Sequence, residues 1–250
     1  MRVAASAVSE RPSVAVLPFE SMSAGKGDEY FSAGITEELI GTLNRLGRLR
    51  VPSLVRVTND STLWADDLDR AGGDVLALEA EIAGAIATHL LSTLLPSDRA
   101  SLEIHATVNP EAHDRYLRGR FYWNQRTPHS LLEAVKFFRE ALVIDPGYAR
   151  AYAGLADTYS LLPWTASMPV REAAPLAREA AQHALRLDST LSDAHVSLGI
   201  VQLFFGWNPD RAEREFTRAV ALDSTNANAY LFLTWVACVR GRLDEALVAL

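Results

Sequence analysis

At 250 residues, with 49% apolar and 22% charged side chains, the chain can bury a core and lies far from the composition of disorder. A formal net charge of −7 and an isoelectric point near 5.4 exclude a broad cationic surface, so neither nucleic acid nor an anionic membrane is an expected partner. The single cysteine, Cys238, excludes an internal disulfide and reads as a small apolar filler in a reducing, cytoplasmic setting.

Residues 1–12 are expected to be a tail, because Val3-Ala4-Ala5-Ser6-Ala7-Val8 is too short for a secretory leader and runs into Glu10 and Arg11. The longest apolar stretch, 82–95, contains His89 and Ser92 and falls short of the roughly 20 residues a membrane helix needs. Ser13-Val-Ala-Val-Leu-Pro-Phe19, apolar and ended by proline, predicts a buried strand. After a loop over 20–28, Tyr30, Phe31, Ile35, Leu39, Ile40 and Leu43 recur at helical spacing, predicting a helix that ends near Gly47. Glu37 and Glu38 lie toward the helix start, where carboxylates suit its dipole. Short strands over 49–57 and 62–68 flank the turn signal Asn59-Asp60, and Asp74 caps a helix running to Leu95. Residues 13–95 therefore read as a small α/β domain and 96–108 as a linker.

From 109 to 250 the pattern becomes helix upon helix, and it repeats. Tyr152, Leu155, Ala156 and Tyr159 form an aromatic-x2-Leu-small-x2-Tyr pattern; His195, Leu198, Gly199 and Gln202 echo it, as do Tyr230, Leu233, Thr234 and Ala237. An Ala-x3-aromatic or apolar pattern follows at Ala134, Ala177, Ala212 and Ala246, spaced 43, 35 and 34 residues apart. The boundaries repeat too, at 141–146, 184–189 and 219–224. About 34 residues is the tetratricopeptide period, so this half resembles a tetratricopeptide-repeat solenoid of about three and a half repeats, with seven complete helices and a partial eighth. The extra length of the second unit falls at 162–169, between Pro163 and Pro169. The fold class expected for the whole chain is α+β, a small α/β domain followed by an all-α solenoid.

The N-terminal half resembles the TolB-like domain that bacterial regulators of the CadC and adenylate-cyclase type carry ahead of such repeats. The resemblance rests on the 13–19 strand, on Glu29-Tyr-Phe-Ser-Ala-Gly-Ile-Thr-Glu-Glu-Leu39, on Leu63-Trp64-Ala65 with Asp69-Arg70, and on Asn109-Pro110-Glu111-Ala112 leading to Tyr116-Leu117-Arg118-Gly119-Arg120. Residues 50–62 are shorter than that family's pattern, which implies an incomplete sheet. No winged-helix, cyclase or kinase region lies within the chain, so the resemblance brings no effector activity with it.

Motifs for chemistry are weak. Ser23-Ala-Gly-Lys-Gly27 stands where a phosphate loop would, but lacks the earlier Gly and has Gly27-Asp28 where a hydroxyl residue is needed. The histidines at 89, 105, 113, 129, 183 and 195 lack metal-ligand spacing, and Asp66, Asp67 and Asp69 beside Trp64 read as a solvated edge. No Gly-x-Ser-x-Gly elbow occurs. The expectation is therefore a non-enzymatic protein with no cofactor, no metal and no catalytic residue, the alternative being an enzyme or ligand-binding protein with its site between the two halves.

Stacked first helices should form a concave groove for a peptide or protein segment. Stepping along the faces opposite the packing positions directs Arg150, Asp157, Asp193, Ile200, Phe204, Asn228 and Trp235 toward it. Few of these are basic, so the expected occupant is a mixed or apolar segment. Trp123, Trp164, Trp207 and Trp235 read mostly as packing residues, with one available to a partner. At the C-terminal end, Tyr230, Leu233 and Ala237 should be poorly covered, which predicts self-association there or a continuation of the array.

Overall fold

The computed structural model describes residues 29–45, 109–242 and 244. Its helices are α1 (Glu29–Arg45), α2 (Pro110–Asn124), α3 (Pro128–Ile144), α4 (Ala149–Leu161), α5 (Val170–Leu187), α6 (Ser192–Ile200), α7 (Pro209–Leu222) and α8 (Ala227–Val239). The expected repeat helices are present as α2 to α8, paired α2/α3, α4/α5 and α6/α7, with α8 opening a fourth unit. No strand occurs among the described residues; the expected strands, the helix after Asp74, the Lys26 loop, the acidic run at Trp64 and the linker all lie outside them.

Short polar signals set the helix ends. Asn109 accepts from the backbone N–H groups of Glu111 and Ala112 at 3.0 and 3.1 Å, and Asn208 and Asn226 cap α7 and α8 in the same way. Thr127 and Ser130 form a reciprocal capping box on α3, with Pro128 in its first turn. Between repeats, Asp145, Asp188 and Asp223 each end a second helix and accept from the N–H two residues on, at 2.9 Å. That recurrent Asx turn is the physical content of the boundary echo.

Within repeats the chain reverses through a left-handed residue. Arg126 (φ 53°), Ala166 (φ 55°), Trp207 (φ 47°) and Gly241 (φ 73°) occupy equivalent places, and glycine fills only the last. The irregular spacings also have local causes. After α4, the 3-10 turn Leu162–Thr165 and the segment to Val170 take up the 43-residue interval; after α6, the π turn Val201–Phe205, closed by Gly206 N–H to the Val201 carbonyl at 2.9 Å, absorbs one extra residue of the 35.

Packing follows from aromatic rings seated in glycine notches. A Cβ placed on Gly119 or Gly154 would come within 2.6 Å of the Phe138 ring, and one on Gly199 within 2.3 Å of Phe216. Phe138 and Phe216 are fully buried, with Ala134, Ala141, Ala212 and Ala219 around them on the second helices. Successive first helices pack on one another, whereas second helices pack chiefly on first helices. The first helices therefore form the inner, closely spaced row.

Helix α1 joins this row. Tyr30 lies against Asp114 and Arg118, Gly34 against Leu117, and Glu37 against Arg120 and Asn124, so α1 runs parallel to α2 where the first helix of a preceding repeat would stand. Ile35, Leu39 and Leu43, the apolar stripe expected from the sequence, are buried.

Alanine ordinarily stabilises a helix relative to glycine by about 1 kcal/mol. Gly199→Ala should reverse that sign and destabilise by roughly 1–3 kcal/mol, because the new methyl overpacks against Phe216. Denaturant melts check this; a neutral or stabilising result would show that the notch is not tight.

Candidate binding groove

The inner row presents a polar half and an aromatic half. At the polar end the Arg120 guanidinium pairs with Glu37 and lies 3.9 Å from Asp157, while Arg150 pairs with Glu38. Both arginine side chains are largely covered, at 13% and 18% exposure. Trp123 is buried between two guanidinium groups, Arg120 at 4.4 Å and Arg126 at 3.6 Å from its ring centre. Tyr30, Asp114 and Arg118 close a ring of hydrogen bonds of 2.7 to 3.0 Å beside this end. These titratable groups converge where the two halves of the chain meet, but each is taken up by the others.

Asp157 lies on the groove floor and accepts from the Ser197 hydroxyl across the gap between α4 and α6. Burial, then the neighbouring Asp193 charge, pushes its carboxyl up to about 7, against the Ser197 hydrogen bond and the Arg120 and Arg126 charges. Asp193 accepts from Asn226 Nδ2 at 2.9 Å, and the same nitrogen donates to Ser192 Oγ at 2.9 Å. Polar contacts thus cross from α1 to α2, α4, α6 and the cap of α8.

At the other end the groove is uncharged and aromatic. Phe204, in the π turn, meets Trp164 edge-on at 5.0 Å, Trp235 at 5.8 Å and Phe232 at 5.9 Å. Trp164 is 57% exposed, Trp235 47%, and Trp207, on the next turn, 79%. No charged residue occurs in α8 or in the turns 162–169 and 201–208.

Of the residues expected in the groove, Arg150, Asp157 and Asp193 fall at its polar half, Phe204 and Trp235 at its aromatic half, and Asn228 is exposed at the start of α8. Ile200 is different. It is 5% exposed and packs with Leu203, Phe216 and Val236, because the π turn begins immediately after it and α8 covers that face. Two readings of α8 also need correction. Cys238 is exposed rather than packed, as are Leu231 and Val239 on the same helix, and Ala237 is covered while Tyr230 stays open. Trp123, read as a packing residue, is buried; Arg120 and Arg126 were not among the expected groove residues, because the first repeat matches the motif poorly and Arg120 takes its closest partner, Glu37, from α1. The described histidines include His113, buried on the Tyr148 hydroxyl at 3.0 Å, and His183, stacked on Tyr152 at 4.0 Å. His195 bonds Glu215 at 2.8 Å. The described residues hold no cluster suited to a metal ion.

No family model matches the chain. It is 29% identical over 238 residues to Putative adenylate cyclase 3 of Rhizobium meliloti, an alignment covering 76% of this chain and 40% of that protein. To Transcriptional regulator HilA of Salmonella typhimurium it is 28% identical over 132 residues, 53% of this chain and 24% of that protein. The chain thus spans less than half the length of these curated relatives. Among solved structures, a tetratricopeptide protein of Thermus thermophilus, TTC0263, is similar with a TM-score of 0.49 at 21% identity, over 70% of this chain and 82% of that one. The first tetratricopeptide domain of Spaghetti (RPAP3), bound to the HSP90 peptide SRMEEVD, gives 0.43 at 17% identity, over 53% and 94%. The described helices, their inner and outer rows and their recurrent boundary turns define a tetratricopeptide-type solenoid. No helix among the described residues is long and apolar enough to cross a membrane.

The raised pKa of Asp157 fixes the sign of a pH effect. Between about pH 4 and 7 the folded chain keeps a proton that the unfolded chain has released, so this contribution to stability is lost as pH rises toward 7 and stays lost above it. Asp157→Asn should gain on the natural chain by roughly 2–4 kcal/mol between pH 4.5 and pH 8, as read from paired denaturant melts. A difference that does not change with pH would mean that Asp157 ionises normally.

Proposed function

We propose that the chain is a non-enzymatic interaction scaffold that binds a peptide or protein segment along its inner helix row. The reading rests chiefly on the edge-to-face cluster of Trp164, Phe204 and Trp235, aromatic surface left open on a face free of charge. Aromatic anchors of this kind supply much of the affinity in protein recognition, and an uncharged platform favours a mixed or apolar segment over a strongly charged one. The alternative, an enzyme at the junction with α1, has less support, because the groups there are consumed by one another. The names of the regulator and the cyclase among its relatives favour a place in a bacterial regulatory or signalling assembly, with this chain as the interaction portion.

The test is affinity capture from native lysate with mass spectrometry, followed by Phe204→Ala and Trp235→Ala. Each should cut recovery of the principal captured polypeptide by about ten-fold or more at unchanged helicity, in line with hot-spot losses. Undiminished capture would remove the aromatic end from the interface.

The exposed Leu231 and Val239 on α8 support a second contact, self-association through this end. Light scattering over a concentration series should show a rising mass that Leu231→Lys and Val239→Lys abolish. A constant monomer mass would refute it.

A further inference from the structure

Cations lie over aromatic rings at several places in the described part of this chain. Arg118 covers Tyr30 at 4.3 Å, Arg120 and Arg126 cover Trp123, Lys136 reaches Phe137 at 5.4 Å and Arg139 reaches Tyr159 at 5.9 Å. The aromatic end of the groove is the exception: among the described residues no cation stands over Trp164, Phe204 or Trp235. These rings meet at steep angles. Trp164 stands at 83° to Phe204 with centres 5.0 Å apart, and Trp235 at 71° with centres 5.8 Å apart. In an edge-on contact one ring of the pair keeps both faces outside the contact, and the face is the negative part of the ring. Two indoles held this close to one phenyl ring can act on one cation together, since the attraction extends to about 6 Å from a ring centre.

The cluster is fixed before anything binds. Phe204 sits in the π turn closed by Gly206 N–H on the Val201 carbonyl, and Phe232, its neighbour at 5.9 Å, stacks at 5.4 Å on the buried Phe216. Next to Trp164, the Thr165 hydroxyl donates to the Leu162 carbonyl at 3.0 Å. Nothing in α8 or in the turns 162–169 and 201–208 is charged, so an ordinary ammonium would give up its water with no carboxylate to replace it. A trimethylated ammonium has no N–H to leave unsatisfied and presents methyl groups to the rings. The net charge of −7 draws cations toward the chain as a whole.

We propose that the Trp164, Phe204 and Trp235 rings bind a quaternary ammonium, carried as a trimethylated lysine on the partner segment. The rings belong to the inner row, where a bound segment runs on past them, and a bilayer surface cannot enter a groove; the cation therefore arrives on a side chain rather than on a lipid headgroup. The idea rests on the proposed function, the inner row as a protein-binding surface, and names the chemistry of its anchor.

The test uses the full chain. Tetramethylammonium chloride is titrated against neopentyl alcohol, an uncharged molecule of nearly the same shape, with binding followed through the indole N–H signals by NMR. Tetramethylammonium should bind about five-fold or more tightly than the alcohol. Trp164→Leu and Trp235→Leu, at exposed positions, should each remove most of that preference at unchanged helicity, while Trp235→Phe keeps it. Equal binding of the two probes, or a preference that survives both leucine variants, would overturn the proposal. A short alanine peptide bearing one trimethylated lysine should then bind at least about five-fold more tightly than its unmethylated form. Phosphocholine binding more tightly than that peptide would overturn the assignment to a protein side chain. Loss of capture on Phe204→Ala without any preference for tetramethylammonium would sink this proposal alone, whereas undiminished capture would remove the protein-binding reading beneath it.

Discussion

The seating of Phe138 and Phe216 in glycine notches governs how near the inner helices can stand. Phe138 contacts the places where Gly119 and Gly154 lack side chains, so one ring from α3 sets the approach of α2 and α4; Phe216 does the same from α7 at Gly199 of α6. Interiors are packed densely enough that a single added methyl at such a point must move a helix or a ring. The groove inherits this spacing. Arg120 reaches Asp157, and Ser197 reaches Asp157, only because α2, α4 and α6 stand that close.

Much of the solenoid was legible in the sequence for a physical reason: its contacts recur at a fixed period. Ala134, Ala212 and their neighbours are small where helices pair, the phenylalanines follow four residues on, and Asp145, Asp188 and Asp223 mark each boundary with a turn whose hydrogen bond is local. Even the irregular 35-residue interval carried information, since one extra residue in a helical array has to be absorbed by a wider turn, here at 201–205. What escaped was register after that turn. Ile200 keeps the helical phase of a groove residue, yet α8 and Phe216 enclose it. Cys238 was misread in the opposite sense, because composition says that cysteine is usually buried while the exposure of this one depends on what lies beyond α8.

The polar end of the groove was least legible because it is not periodic. Arg120 and Arg126 take their meaning from Trp123 between them and from α1, a helix from the other half of the chain. Pattern reading places Glu37 and Glu38 near the start of an amphipathic helix and assigns them to its dipole; it cannot anticipate that a long-range contact turns them toward arginines. Of the seven residues expected to line the groove, Ile200 is enclosed, and the polar end that α2 builds had no representative among them.

The two ends of the groove differ in what association would cost. At the polar end the charges are already paired and partly stripped of water, so a partner gains there only by replacing a contact the chain makes with itself, and a mismatched group would leave an arginine or a carboxylate unsatisfied. At the aromatic end Trp164, Trp207 and Trp235 are open to water, and covering them releases that water without breaking any ion pair. On the proposed reading, affinity belongs mainly to the aromatic end and discrimination to the polar one. The left-handed backbone at Trp207 fits the same division: a position where glycine would sit without strain instead carries a large exposed ring, and the strain of order 1 kcal/mol is sustained by a rigid turn between α6 and α7. Arg126 and Ala166 hold the equivalent left-handed place without glycine, so what sets Trp207 apart is the exposed ring it carries beside the aromatic end; only Gly241 removes the strain.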